Sequence, residues 1–430
     1  MRQSVRPARA LRGTIAPPGD KSISHRAAIL NAIASGRAVV ENFQRGADCL
    51  ATLHCLRLLG VDWAWRDEAT LEIAGRGRAG LREPPAVLDC RNSGTTIRLL
   101  SGLVAAQPFF SVLTGDASLR RRPMGRVIQP LRQMGAHIDG RDGDSRAPLA
   151  IRGGALHGLR YRLPVASAQV KSALILAGLY AEGETILEEP TPTRDHTERM
   201  LRAMGAAVEW GEGLVRVSAQ TGGLSPLSLR VPGDISAAAP WLVLATIHPD
   251  AEVRISDVGV NPTRAGVLDA LRMMGADIRL EKERLWGPEP VADLVVRSSQ
   301  MRGAVIEGDL IPRTIDELPL LTLAGCFAQG ETAIREAAEL RAKESDRIRT
   351  TAAELRRLGA EVEERADGLA VRGPQQLRGN TVSCHSDHRL AIMLAVAGAL
   401  AQGETVIGNA AAVAVSYPWF WRDLEALTVP

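Results

Sequence analysis

A small set of charged and amide side chains sits where anions could be held. Pro18-Gly-Asp-Lys21-Ser22-Ile-Ser-His-Arg26 puts Lys21 and Ser22 at a predicted helix start, with Arg26 one turn beyond Ser22 on the same face. Leu119-Arg-Arg-Arg122-Pro-Met-Gly stacks three positive charges ahead of a proline. Pro123 at a first helical position is expected to leave Arg122 near the cap, with Arg120 and Arg121 solvated. Arg341-Ala-Lys343-Glu344-Ser-Asp-Arg347 and Asp387-His-Arg389 supply further cations. Helix N-termini and forked guanidinium groups suit carboxylates and phosphates. Two acids stand among these bases, Asp316 in Ile315-Asp-Glu-Leu-Pro and Glu344 beside Lys343. A carboxylate among cations is ionised and can accept a proton from a substrate hydroxyl. Asp316 could equally do no more than cap its helix.

The lysines sharpen this pattern. Of 52 basic residues, 48 are Arg and four are Lys: Lys21, Lys171, Lys282 and Lys343. Such a bias is compositional, yet a retained Lys can mark a place where a compact ammonium serves and a planar fork does not. Lys21, Lys171 and Lys343 fall in candidate site segments, Lys171 just after Ser167-Ala168-Gln169. Lys282, in Glu281-Lys-Glu-Arg284, reads as a turn with a solvated charge.

The elements that position these residues form a repeat. Leu-Arg-x-(Leu/Met)-Gly-(Ala/Val) begins at Leu56, Leu131, Leu201, Leu271 and Leu355, with its glycines 75, 70, 70 and 84 residues apart. Each glycine is expected at the left-handed position just past a helix, before a hairpin. Ahead of each such helix lies a β-prone segment, and ahead of that an apolar helix opened by small or capping residues. The six openings are Lys21-Ser22, Asn92-Ser93, Ser167-Ala168-Gln169, Asp234-Ile-Ser236, Thr314-Ile-Asp316 and Ser386-Asp-His388. Their unbroken apolar character predicts burial all round. The unit is strand, buried helix, strand, surface helix, strand, strand, six times over, which suggests two domains of three units. The break falls near Arg230-Val-Pro-Gly-Asp234: residues 16–234 form one domain, and 1–15 with 235–430 the other. The opening strand, Ser4 to Ile15, is expected to pair with the far half.

Composition narrows the class. With 52 basic against 49 acidic residues the net charge is +3, which argues against nucleic-acid coating or a membrane-surface protein. The apolar runs near 237–247 and 390–401 are shorter than the roughly 18 residues of a membrane span, and no signal peptide is visible. Five cysteines without CxxC spacing suit neither a disulfide scaffold nor a zinc site, and a reduced cytoplasmic setting follows.

The motifs in their order resemble the EPSP synthase family, the 3-phosphoshikimate 1-carboxyvinyltransferases. The resemblance rests on Pro18–Arg26, Asn92-Ser-Gly94-Thr-Thr-Ile-Arg98, Thr114-Gly-Asp with Arg122-Pro-Met-Gly, Ser167-Ala-Gln169, Asp316-Glu317, Lys343–Arg347 and Asp387-His-Arg389, and runs from about Pro17 to Phe420. It implies two domains of three βαβαββ units, an inside-out α/β barrel closing about a hinge. It implies transfer of the enolpyruvyl group of phosphoenolpyruvate to the 5-hydroxyl of 3-phosphoshikimate, on the route to chorismate and the aromatic amino acids. Neither metal nor organic cofactor is implied, and the partners are these two small molecules taken by a monomer. By similarity Lys21, Ser22, Arg26, Ser167, Ala168, Gln169, Thr193, Arg194 and Lys343 hold phosphoshikimate, with Lys21 and Gln169 also reaching phosphoenolpyruvate. Asn92, Gly94, Arg122, Arg347 and Arg389 grip phosphoenolpyruvate. Asp316 takes the hydroxyl proton, and Glu344 and Lys21 move protons at the methylene. Two departures stand out: Arg91 where many members have Gly, and Val415-Ser-Tyr-Pro418 where some carry a Lys. A related enolpyruvyl transferase acting on UDP-N-acetylglucosamine usually carries a Cys in the region matching Thr114–Arg122, and this chain has none there.

Overall fold

A computed structural model of the chain describes residues 1–220 and 222–429. It is an α/β structure that divides into two compact units. One comprises Met1–Pro18, Pro232–Leu285 and Pro290–Pro430; the other comprises Gly19–Val231 with Trp286–Glu289. Each has its own hydrophobic core.

Twelve helices carry the repeat. In the second unit they are α1 (Lys21–Ala32), α2 (Ala47–Leu58), α3 (Gly94–Ala105), α4 (Gly125–Gln133), α5 (Ala168–Gly178) and α6 (His196–Ala203). In the first they are α7 (Ile235–Ile247), α8 (Gly266–Met273), α9 (Leu318–Phe327), α10 (Arg347–Arg357), α11 (His388–Leu400) and α12 (Phe420–Leu427). The odd-numbered helices are the apolar ones. Every residue of α3 and α7 is buried, and nearly every one of α1, α5, α9 and α11. Each Leu or Ile taken from water there contributes roughly 1.5–3 kcal/mol. Packing within the second unit is close enough to demand glycine: a Cβ on Gly102 of α3 would collide with the carbonyl of Ala173 in α5. Among the described residues no helix is long and apolar enough to cross a membrane.

The even-numbered helices stop where the repeat predicts. Gly60, Gly135, Gly205, Gly275 and Gly359, just past α2, α4, α6, α8 and α10, have φ between 86° and 100°. A hairpin follows each, such as Val362–Arg365 with Gly368–Gly373.

Six sheets repeat one pattern, in which the strand after each buried helix pairs parallel on one side and antiparallel on the other. Phe110–Thr114 lies parallel to Leu88–Asp89 and antiparallel to Arg146–Arg152, for example. The chain start splits into two strands, β1 (Arg2–Val5) and β2 (Ala10–Ile15), which complete different sheets. β2 lies parallel to Ala251–Ile255, and β1 lies antiparallel to Thr405–Gly408. In the sixth repeat β1 takes the place beside Thr405–Gly408 that a hairpin strand takes in the others, and Thr428–Val429 pairs with β2.

Candidate functional site

The helix openings hold the site residues, and in each unit hydrogen bonds tie three of them together. At α1, Asp20 accepts from the Ile23 amide at 2.8 Å and so caps the helix. That leaves Lys21 and Ser22 at its N-terminus. Lys21 Nζ meets Asp48 Oδ2 at 3.1 Å, both mostly buried. Arg26, one turn on, donates to Thr197 Oγ1 at 2.6 Å, Ser172 Oγ at 2.8 Å and the Ser22 carbonyl at 3.0 Å. Burial lowers its pKa to about 10 against the pull of Glu198. Arg194 donates to Ser22 Oγ at 3.4 Å, so the α1 opening and the Thr193–Arg194 segment form one surface.

At α3, Ser93 caps the helix and Gly94 follows. Arg122 Nη2 donates to Asn92 Oδ1 at 2.7 Å, and Asn92 Nδ2 donates to Asp116 at 2.6 Å. A Cβ on Gly94 would stand 2.7 Å from Arg98 Nη1 and 3.0 Å from Arg122 Nη1, so a larger residue there would push both guanidinium ends aside. Arg98 donates to Gln169 Oε1 at 2.7 Å, and Gln169 Nε2 donates to Thr95 at 2.9 Å. Ser167 caps α5, with Ala168 its first residue. A buried chain from His25 through Thr52 and Thr96 to Ser93, each link 2.7 Å, joins α1 to the α3 opening. Burial, with Lys21 and Arg26 nearby, drives the His25 pKa well below its usual value.

In the first unit Arg347 is the hub. It opens α10 and is fully buried. It reaches Asp387 at 2.9 Å, Glu344 at 2.6 Å and Asp316 at 3.3 Å. Burial works against its charge, but these carboxylates outweigh it and raise its pKa. Asp316 does not cap its helix: α9 starts at Leu318 with Glu317 at the cap position. Glu317 is buried against Arg264 and Ser236, while Asp316 lies 3.3 Å from Arg347 and 4.0 Å from Arg264. Lys343 is half-buried, and desolvation lowers its pKa against the opposing pull of Asp316. Arg389 donates to the Ser236 carbonyl at 3.3 Å, and its Nε is buried without a hydrogen-bond partner among the described residues. Neither Lys343 nor Arg389 forms an ion pair with a carboxylate there.

Some details differ from the sequence reading. Helix α4 begins at Gly125, not Pro123, because Leu119–Arg121 forms its own 3-10 turn and Arg122 ends that turn, buried, while Arg120 and Arg121 are exposed. Lys171 is buried at 1% exposure among Glu189, Glu198 and the Thr193 carbonyl. Lys282 sits inside the long strand Asp277–Trp286 at φ 50°, its exposed ammonium 3.2 Å from Asp293. Arg91 projects into solvent beside Asp89. Among supporting residues, Arg98 carried a signal, one turn past Gly94; Arg264, in Asn261-Pro-Thr-Arg, carried none.

Comparison with known proteins agrees with this arrangement. The family model described as EPSP synthase (3-phosphoshikimate 1-carboxyvinyltransferase) matches residues 5–424. The 3-phosphoshikimate 1-carboxyvinyltransferase of Roseiflexus sp. (strain RS-1) is 55% identical over 424 residues, covering 98% of each chain. That of Chloroflexus aggregans is 56% identical over 420 residues, covering 97% of each. The solved EPSP synthase from Acinetobacter baumannii superposes with a TM-score of 0.88 at 42% identity, covering 99% of this chain and 98% of the other. The capped helix openings, the cations gathered on them and these likenesses lead to one statement: the chain belongs to the EPSP synthase family, the 3-phosphoshikimate 1-carboxyvinyltransferases.

Proposed function

We propose that these residues carry out enolpyruvyl transfer from phosphoenolpyruvate to the 5-hydroxyl of 3-phosphoshikimate, releasing phosphate. The observation that carries the reading is the pair Lys343 and Arg389: Arg389 at the opening of α11 and Lys343 in the turn that leads into α10, with no carboxylate ion pair among the described residues, beside the acid cluster around Arg347. Cations in that state suit anionic ligands. Lys21, Ser22, Arg26, Ser167, Ala168, Gln169, Thr193, Arg194 and Lys343 hold phosphoshikimate. Asn92, Gly94, Arg122, Arg347 and Arg389 hold phosphoenolpyruvate, with Lys21 and Gln169 touching both. Asp316 accepts the hydroxyl proton as the oxygen bonds to the carbon of phosphoenolpyruvate that carries the phosphate, and Glu344 or Lys21 delivers a proton to the methylene, making it a methyl group. Loss of a proton from that methyl group and cleavage of the carbon–oxygen bond to phosphate then restore the double bond.

In this reading the two compact units are the two domains. The protein works as a cytoplasmic monomer, away from nucleic acid and membranes; five free, buried cysteines suit a reducing compartment. Phosphate release measured with 3-phosphoshikimate and, separately, with UDP-N-acetylglucosamine tests the proposal. Turnover is expected with the first alone; turnover restricted to the nucleotide sugar overturns it. Light scattering tests the monomer.

A further inference from the structure

Lys171 is a buried cation that the proposed chemistry leaves unused. Its ammonium lies 3.0 Å from Glu189 Oε2, 2.8 Å from Glu198 Oε1 and 3.2 Å from the Thr193 carbonyl. An ammonium has three donors that can point to three separate acceptors, whereas a guanidinium spreads its donors in one plane. That accounts for a lysine here in a chain whose other cations are almost all arginine.

Two of the three contacts, to Glu189 and to the Thr193 carbonyl, converge on Thr193. Glu189 Oε1 accepts from the Thr193 amide at 3.1 Å and from the Thr193 hydroxyl. Lys171 holds the other oxygen of that carboxylate and the Thr193 carbonyl. Every polar group of Thr193 is thus fastened to the Lys171–Glu189 pair. Arg194 follows directly and reaches Ser22. Ser172, next to Lys171 on α5, bonds Thr197 at 2.7 Å, so α5 fixes both ends of the segment that precedes and opens α6. Charge is balanced: Lys171 and Arg26 stand against Glu189 and Glu198.

We propose that Lys171 is a positioning residue: through Glu189 and the Thr193 carbonyl it sets Thr193 and Arg194, and with them the subsite for the phosphate of 3-phosphoshikimate. The inference rests on the reading of Thr193 and Arg194 as phosphate-holding residues. It makes Lys171 a determinant of discrimination between phosphorylated and unphosphorylated acceptor, without contact to either.

The test compares 3-phosphoshikimate and shikimate binding by calorimetry in the wild type and in Lys171→Met, with the KM for each substrate of the reaction. Hydrogen bonds to charged groups contribute about 1.5–3 kcal/mol, so 3-phosphoshikimate is expected to bind about tenfold more weakly or worse. Shikimate binding and the KM for phosphoenolpyruvate are expected to stay unchanged. Equal weakening of both acceptors, or unchanged 3-phosphoshikimate binding in a folded variant, overturns the proposal. If Lys171→Met fails to fold, the charge-balanced Lys171→Met/Glu189→Gln takes its place with the same readouts. A wild type that binds both acceptors equally well overturns the phosphate-subsite reading itself, which separates the two failures.

Discussion

Arg347 and Asp387 face each other across two hydrogen bonds, Nε to Oδ2 at 2.9 Å and Nη2 to Oδ1 at 3.3 Å. The pair joins the first residue of α10 to the cap of α11, where Asp387 also accepts from the Arg389 amide at 2.9 Å. Burial pushes the Asp387 pKa up, but Arg347 outweighs it and the net shift is downward. Removing Arg347 leaves Asp316, Glu344 and Asp387 without their shared cation. Arg347→Met is expected to lose about 3–5 kcal/mol, as breaking a buried ion pair does. In urea melts the loss should shrink as pH falls toward about 4, where carboxylates protonate. A variant as stable as wild type at neutral pH contradicts the hub role.

Asp316→Asn keeps the shape and removes the proton acceptor. Turnover is expected to fall by about 10²- to 10⁴-fold, the usual contribution of a general base. Binding of 3-phosphoshikimate should persist, since all the residues proposed to hold it except Lys343 lie in the other unit. Rapid-quench measurement of phosphate release beside equilibrium binding checks both halves; near-normal rates rule out the assignment.

Lys343 should lose its charge at lower pH than an ordinary lysine, because desolvation outweighs the pull of Asp316 and Glu344. Its proposed grip on phosphoshikimate is expected below that lowered pKa and lost as pH rises through it. Glu344→Gln removes one of the anions that hold the value up. The alkaline loss of 3-phosphoshikimate affinity should therefore move to lower pH in that variant. Binding titrations across the alkaline range check the direction, and a shift to higher pH contradicts it.

His25 gives a stability signature on the acid side. Its folded pKa lies well below the unfolded 6.5, so the unfolded chain binds more protons between those values. Stability that is full above the unfolded pKa is lost as pH falls, by at most about 1.4 kcal/mol per pH unit from this one group. His25→Asn should flatten that part of the profile in denaturation of wild type and variant at pH 7 and below. Parallel profiles would assign the acid sensitivity elsewhere.

Arg91 adopts φ 53° and carries an exposed side chain paired with Asp89 at 3.3 Å. A left-handed conformation costs a non-glycine residue about 1–2 kcal/mol. Glycine's extra freedom in the unfolded chain takes back about 0.4–1 kcal/mol. The exposed ion pair contributes about 0–1 kcal/mol. Arg91→Gly is therefore expected to leave the melting temperature unchanged or slightly higher, with the KM for phosphoenolpyruvate unaffected. A raised KM would place the Arg91 side chain in the pocket.

The openings of the six apolar helices were legible in the residues because a capping or small side chain precedes an uninterrupted apolar run, a contrast that survives without tertiary context. Asp20, Ser93, Ser167, Asp234 and Asp387 do cap their helices. The fifth opening was ambiguous, since Asp316 and Glu317 are neighbours of like charge. Arg264, distant in sequence, claims Glu317 and so decides their roles. The role of Lys171 was illegible for a related reason: it borders Ser167–Gln169 in sequence, while its partners Glu189 and Glu198 lie outside any local pattern. The split of the chain start into two strands was illegible because each takes its register from residues more than 200 positions away.

Those two strands set a timetable for synthesis. β1 and β2 are made well before their partners, Ala251–Ile255, Thr405–Gly408 and Thr428–Val429. At about 5–20 residues per second, the wait for the last of them is tens of seconds. Residues 19–231 are complete long before then. The second unit can fold on the ribosome while β1 and β2 wait for those partners, and the first unit closes only when Thr428–Val429 emerges.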